Sequence, residues 1–225
     1  MADVQFRTPD DLLVGGYLAD TERPIGNVVV VHEWWGLNDQ IRAICDRYAM
    51  ANFRAFAPDL YDGVVVPIGD GAAAGAKMQA LDWGKAIRIL GGAVAQLRGM
   101  GGKVAVTGFC MGGALTLAAA TQLGDQIDAA VPFYGIPGPE AGDPGKIRAP
   151  VLGHFAKKDD WITPAKVDAL EATLTRGSVP HELHRYDASH AFFNEARKEV
   201  HDPAASKLAW DRTVAFLQHQ FGIPA

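Results

Sequence analysis

The segment Gly108-Phe109-Cys110-Met111-Gly112-Gly113 restricts the fold more than any other part of the chain. It follows Lys103-Val104-Ala105-Val106-Thr107, which reads as a strand, and precedes Ala114 to Ala120, which reads as a helix. A strand that becomes a helix within so few residues needs small side chains at the turn, because strand and helix cross closely there. The same strand–turn–helix context surrounds the G-x-S-x-G nucleophile motif, with Cys110 standing where serine would be. At the start of a helix the positive end of the dipole favours a thiolate at Cys110. A small buried cysteine packing a strand–helix junction is the plain alternative.

Strands and helices alternate along the rest of the chain. Asn27 to Val31 reads as a strand buried on both faces, the pattern of a central parallel strand. Asn38 caps a helix whose apolar face is Ile41, Ile44, Cys45, Tyr48 and Ala51, which assigns Cys45 to the core. Further strands are expected at 53–57, 127–133, 150–155 and 181–186. Thr163 and Pro164 start a helix that ends near Gly177. Asp202 and Pro203 start the last helix, with Trp210, Val214, Leu217 and Phe221 facing inward. Residues 62–76, interrupted by glycines, read as a surface loop or lid, and one helix is expected from near Lys77 to Arg98. This order predicts one α/β domain over residues 1–225, with a mostly parallel central sheet covered by helices on both faces.

Composition narrows the partners. A formal net charge of −5 in 225 residues argues against nucleic acid or an anionic membrane surface. No stretch is long and apolar enough to span a bilayer. Met1 to Arg7 lacks the basic start and apolar core of a secretory leader. Two cysteines make no disulfide framework and suit a reducing compartment, so a cytoplasmic protein is expected. No zinc cluster, phosphate loop or dinucleotide fingerprint is present in the sequence.

In open α/β sheets the site forms at the carboxyl ends of the strands, so polar residues just past strand runs carry the information. Cys110, Asp159 and His190 stand there in the chain order nucleophile, acid, histidine. An imidazole raises the reactive fraction of a thiol, and a carboxylate fixes the tautomer of that imidazole. Asp160 is an acidic neighbour of Asp159, and His181 and His184 compete with His190, although both lie inside the expected last strand. His154, His201 and His219 read as structural or surface residues. The segment His32-Glu33-Trp34-Trp35-Gly36 lies past the first buried strand, where a backbone N–H joins the one after the nucleophile in an oxyanion hole. The donors on that reading are Trp34 and Met111. Glu33 then sits near Cys110 as a candidate acceptor of the thiol proton, or else serves as a loop acid capping a turn.

Glu33-Trp34-Trp35-Gly36-Leu37-Asn38, Pro58-Asp59-Leu60-Tyr61, Gly108 to Gly113, Tyr134-Gly135, Asp159 and His190, taken together, resemble the dienelactone hydrolases (carboxymethylenebutenolidases) of the α/β-hydrolase superfamily. The resemblance implies an α/β-hydrolase fold without a large cap domain and a Cys110–His190–Asp159 triad. Glu33 would take the thiol proton when substrate arrives, and an acyl-cysteine would form and be hydrolysed. It implies a small-molecule ester or lactone substrate, no metal or organic cofactor, and a monomer or small homo-oligomer. Two arginines hold the substrate carboxylate in that family. Here no arginine lies between Arg54 and Arg88, and Asn194 stands where the second is expected. Trp35, Trp83, Tyr134, Phe192 and Asn194 are the candidate substrate contacts, with Trp34 beside them, and they suggest an aromatic pocket suited to uncharged esters. The alternatives are an acyl-thioester hydrolase or acyltransferase using the same triad, and a non-catalytic ligand-binding or redox-responsive member of the fold.

Overall fold

A computed structural model describes residues 1–8 and 10–223. The strands are β1 (Ala2–Arg7), β2 (Leu13–Ala19), β3 (Asn27–Val31), β4 (Arg54–Pro58), β5 (Val104–Phe109), β6 (Ala129–Phe133), β7 (Val151–Lys158) and β8 (His181–Ser189). They form one sheet in the order β1-β2-β4-β3-β5-β6-β7-β8. From β4 to β8 every neighbouring pair is parallel, and only the β1–β2 and β2–β4 pairs are antiparallel. The helices are α1 (Asp39–Met50), α2 (Gly71–Gln79), α3 (Trp83–Gly99), α4 (Met111–Leu123), α5 (Pro164–Arg176) and α6 (Pro203–Phe221).

The two-residue period of the strands splits the core into two layers. Val29, Val31, Val104 and Val106 face α3, α4 and α5, while Val28, Val30, Ala105 and Val131 face α1 and α6. Every residue of β3, β5 and β6 is buried, which is why Asn27 to Val31 reads as an unbroken apolar run. The resulting architecture is the α/β-hydrolase fold, with a mostly parallel sheet and, among the described residues, no large cap.

Several boundaries differ from the sequence expectation. The helix expected over 77–98 is two helices. Asp70 caps α2 through the N–H of Ala73 and Asp82 caps α3 through that of Lys85, so the chain restarts at 82 rather than running through. The 62–76 segment accordingly holds the first turns of α2 instead of being loop throughout. Gly91 and Gly92 lie within α3, and Gly92 lets the helix pack directly on Thr8. The hairpin of β1 and β2 has no counterpart in the sequence expectation. Along α1 it is Ala49 that turns inward, while Ala51 is the C-cap. Along α6 the fully buried line is Ser206, Ala209, Thr213 and Leu217, with Trp210, Val214 and Phe221 half-buried beside it. No helix among the described residues is long and apolar enough to cross a membrane.

Candidate active site

The site is built where β3, β5, β6, β7 and β8 end. Cys110 follows β5 with φ 54° and ψ −115°, a strained conformation for a residue with a side chain. The glycines make that turn possible. A Cβ on Gly108 would fall on the carbonyl oxygen of Gly112, and one on Gly112 would fall on that of Val31. The N–H of Cys110 donates to the Phe133 carbonyl at 3.0 Å, tying the turn to the end of β6. Cys110 is 8% exposed, so its sulfur meets solvent only through the clefts described below.

Asp159 is one residue beyond β7 and His190 one residue beyond β8, and the parallel pairing of these strands sets them side by side. His190 Nδ1 lies 2.7 Å from Asp159 Oδ2. The other carboxylate oxygen of Asp159 accepts the N–H groups of Trp161 and Ile162, each at 2.9 Å. Burial pushes the Asp159 carboxyl up, but the bond and charge of His190 with these two N–H donors outweigh it and hold the group below its ordinary value. For His190, burial disfavours the cation, yet Asp159 and Cys110 reverse that and push it up to about 10. Its Nε2 is buried without a hydrogen-bond partner among the described residues. Asp160 borders the same cleft without bonding His190, whereas His181 opens β8 and His184 lies within it, both lining a separate pocket away from Cys110. His154 is fully buried, with its ring nitrogens bonded to the hydroxyls of Tyr186 and Thr213.

Glu33 is 3% exposed, and both its oxygens are engaged. Oε1 accepts the Tyr134 hydroxyl at 3.1 Å and Oε2 accepts the Asn194 side-chain amide at 2.6 Å. Burial is the main influence on Glu33 and raises its carboxyl, against the smaller opposing effects of Asn194, His190 and Tyr134. Asn194 therefore touches Glu33 from within the core. Its Oδ1 accepts the N–H of Ala196, which fixes which end of the amide points at Glu33. His32, which the sequence reading left without a role, holds the same turn. Its Nε2 accepts the Leu60 N–H at 3.2 Å, so Nδ1 carries the proton toward the Glu33 carbonyl at 2.6 Å. The N–H groups of Trp34 and Met111 make no hydrogen bond among the described residues.

Two clefts meet at Cys110. One, of about 390 Å³, is bordered by Glu33, Lys158, Asp160, Ser189 and Arg197. The other, of about 170 Å³, runs under Met78, Trp83, Tyr134, Ile136 and Ile162. Trp83 and Tyr134 thus border a cleft, whereas Trp35 and Phe192 border neither. Trp35 packs against Val66 and Ala74, and Phe192 is sealed between Tyr134 and Tyr186. Arg197, three residues past Asn194, does reach the larger cleft, so the loop supplies an arginine from a position the sequence reading passed over. It is paired with Glu199 at 2.8 Å, and Lys158 with Asp187 at 3.0 Å. Trp161, also unmarked in the sequence, borders both clefts.

The sequence model of the Dienelactone hydrolase family matches residues 14–221 of this chain. The protein usf of Aquifex pyrophilus is 37% identical over 216 residues, covering 91% of this chain and 93% of that one. A relative from Aquifex aeolicus (strain VF5), provisionally named a carboxymethylenebutenolidase, is 32% identical over 217 residues, with 91% and 93% covered. The crystal structure of a dienelactone hydrolase-like promiscuous phosphotriesterase from metagenomic libraries superposes with a TM-score of 0.86 at 25% identity, over 98% of this chain and 99% of that one.

Proposed function

The chain belongs to the dienelactone hydrolase family and is a carboxylic ester hydrolase, and we propose that it acts through a Cys110–His190–Asp159 triad and an acyl-cysteine intermediate. The observation that carries this reading is the 2.7 Å tie between His190 and Asp159, which leaves a bare Nε2 in the cleft that also holds Cys110. With Nδ1 bonded to a carboxylate, only Nε2 is left to exchange protons with substrate and water.

The steps follow from the groups in place. As an ester binds, the Cys110 proton passes to Glu33, whose burial lets it hold a proton where an exposed glutamate would not. The thiolate attacks the carbonyl carbon, and the oxyanion lies on the N–H groups of Trp34 and Met111. The tetrahedral adduct collapses by breaking the carbon–oxygen bond, and the imidazolium of His190 gives its proton to the departing alcohol. The sulfur is now uncharged, which removes one of the causes that held His190 protonated, so the imidazole stays neutral after giving up its proton and its Nε2 is free to take one from water as general base. Hydroxide adds to the thioester, the carbon–sulfur bond breaks, and the acid leaves as Cys110 regains its proton from Glu33.

Lys158 and Arg197 of the larger cleft each already bond a carboxylate that a charged substrate would have to displace, in keeping with a preference for uncharged esters over dienelactone. The two thiols are buried and unpaired, in keeping with a cytoplasmic location. The test is hydrolysis of p-nitrophenyl acetate and cis-dienelactone by the wild type and by Cys110→Ala. Turnover of the acetate that the variant loses supports the reading, and turnover that survives in the variant overturns it.

A further inference from the structure

Trp161 is a large indole left 48% exposed beside the triad, an orientation that burial does not explain. Its ring lies 5.5 Å from that of His190 and 5.1 Å from that of Trp34, edge-on to the latter. Its place is fixed from below. The N–H of Trp161 is bound by Asp159, and its carbonyl accepts the Lys166 ammonium at 2.8 Å. Cys110, His190 and Trp161 border both clefts. Of these, Cys110 and His190 are the proposed catalytic groups, which leaves Trp161 as the remaining residue that the two spaces share.

The clefts differ in chemistry. Ser189, Lys158, Asp160 and Arg197 make the larger one the more polar of the two, with Trp34, Ala191 and Val200 beside them, whereas Met78, Trp83, Ile136 and Ile162 make the smaller one apolar. An ester leaves two fragments after acylation. The alcohol departs, and water then enters by the same approach to the same His190 nitrogen, because water is the smallest alcohol. A polar cleft admits that water, and an apolar one suits the fragment that stays behind.

We infer that the site is bipartite, resting on the acyl-cysteine reading above. A short apolar acyl group occupies the 170 Å³ cleft, the alcohol and then water occupy the 390 Å³ cleft, and the Trp161 indole is the wall between them. The favoured substrate class is therefore an open-chain ester with a short apolar acyl group. A lactone, whose two halves are tied in one ring, fits a divided site less well.

Trp161→Ala tests the wall cleanly, since alanine keeps the backbone N–H that Asp159 binds and the lost side chain is half exposed. The measurement is kcat/KM for p-nitrophenyl acetate, butyrate and octanoate with wild type, Trp161→Ala and Ile136→Phe, each beside Cys110→Ala. In the wild type the octanoate is disfavoured against the butyrate by about tenfold or more, the scale on which a closed pocket rejects extra methylenes. Trp161→Ala shrinks that discrimination to about threefold or less by merging the clefts, and Ile136→Phe moves the fall to the acetate–butyrate step by shortening the acyl cleft. A Trp161→Ala profile that keeps the wild-type fall overturns the wall, and an unchanged profile in Ile136→Phe overturns the placing of the acyl group. Hydrolysis that survives in Cys110→Ala, or is absent from the wild type, instead overturns the acyl-cysteine reading and the division with it.

Discussion

Asp159 has two duties at once: Oδ2 lies 2.7 Å from His190 Nδ1, and Oδ1 holds the N–H groups of Trp161 and Ile162, each at 2.9 Å. The carboxylate that orients the base therefore also sets the loop on which the proposed cleft wall stands. Asp159→Asn separates the two duties. The amide oxygen can keep the Trp161 and Ile162 N–H groups, which leaves its NH₂ facing His190 Nδ1 and moves the ring proton to Nε2. A protonated neutral Nε2 accepts nothing from water. We expect kcat to fall by about 10³ to 10⁴, together with a lower melting temperature near neutral pH, because the variant also loses the stability that the His190–Asp159 pair contributes there. Steady-state kinetics with p-nitrophenyl acetate reads it, and a loss of less than about tenfold would remove Asp159 from the triad.

Glu33 presents the opposite sign. Its raised carboxyl means that the charged form is penalised by burial at neutral pH, so the fold carries this group at a loss. Glu33→Gln removes the charge penalty while keeping a hydrogen bond to each partner, although the Tyr134 hydroxyl turns from donor to acceptor. The glutamine oxygen accepts from Asn194, and its NH₂ donates to the Tyr134 hydroxyl. The expected result is a melting temperature higher by roughly 2–4 °C. Ester hydrolysis should fall at the same time by about 10²-fold. Calorimetry and kinetics on one preparation decide it. A variant that is both less stable and less active would mean that Glu33 serves the fold rather than the thiol.

Much of the site could be read in the sequence because it sits at strand ends, where chain order and chemistry coincide. Cys110 is marked by glycines that the crossing backbones require, and Asn27 to Val31 by valines needed on both faces of the sheet. The strands β1 and β2 escaped because an edge hairpin is half exposed, and Gly15-Gly16 breaks its alternation. Trp161 and Arg197 escaped for a different reason. They are brought to the clefts by the path of loops, which no periodicity records. Asn194 shows the limit most clearly. The chain reverses at Ala191, with φ 63°, and this turns the amide inward to Glu33 instead of outward to substrate.

The turn that bears Cys110 makes a prediction about stability alone. Gly112 lies where any Cβ meets the carbonyls of Val31 and His32, which are backbone atoms of a central strand end and cannot move aside. Gly112→Ala should therefore destabilise the protein by about 2 kcal/mol or more. Gly75→Ala, in α2 with open space around it, should be neutral or slightly stabilising by about 0.5 kcal/mol. Urea unfolding of the two variants beside the wild type gives the comparison, and equal midpoints would show that the elbow yields.

The His190–Asp159 pair also fixes how stability responds to pH. His190 is raised from 6.5 to about 10, so its contribution is complete below 6.5 and is lost as the pH climbs through about 10. Asp159 is held below 3.8, so its contribution is present above that value and is lost as acid protonates it. The pair is thus fully effective from about pH 4 to 6.5 and weakens on the alkaline side first. Urea midpoints taken between about pH 6 and about pH 10 should fall more steeply for the wild type than for His190→Asn. Cys110→Ala should lie between them, because Cys110 is one of the groups holding His190 protonated. Parallel curves for wild type and His190→Asn would show that His190 titrates at an ordinary value and is not coupled to the pair.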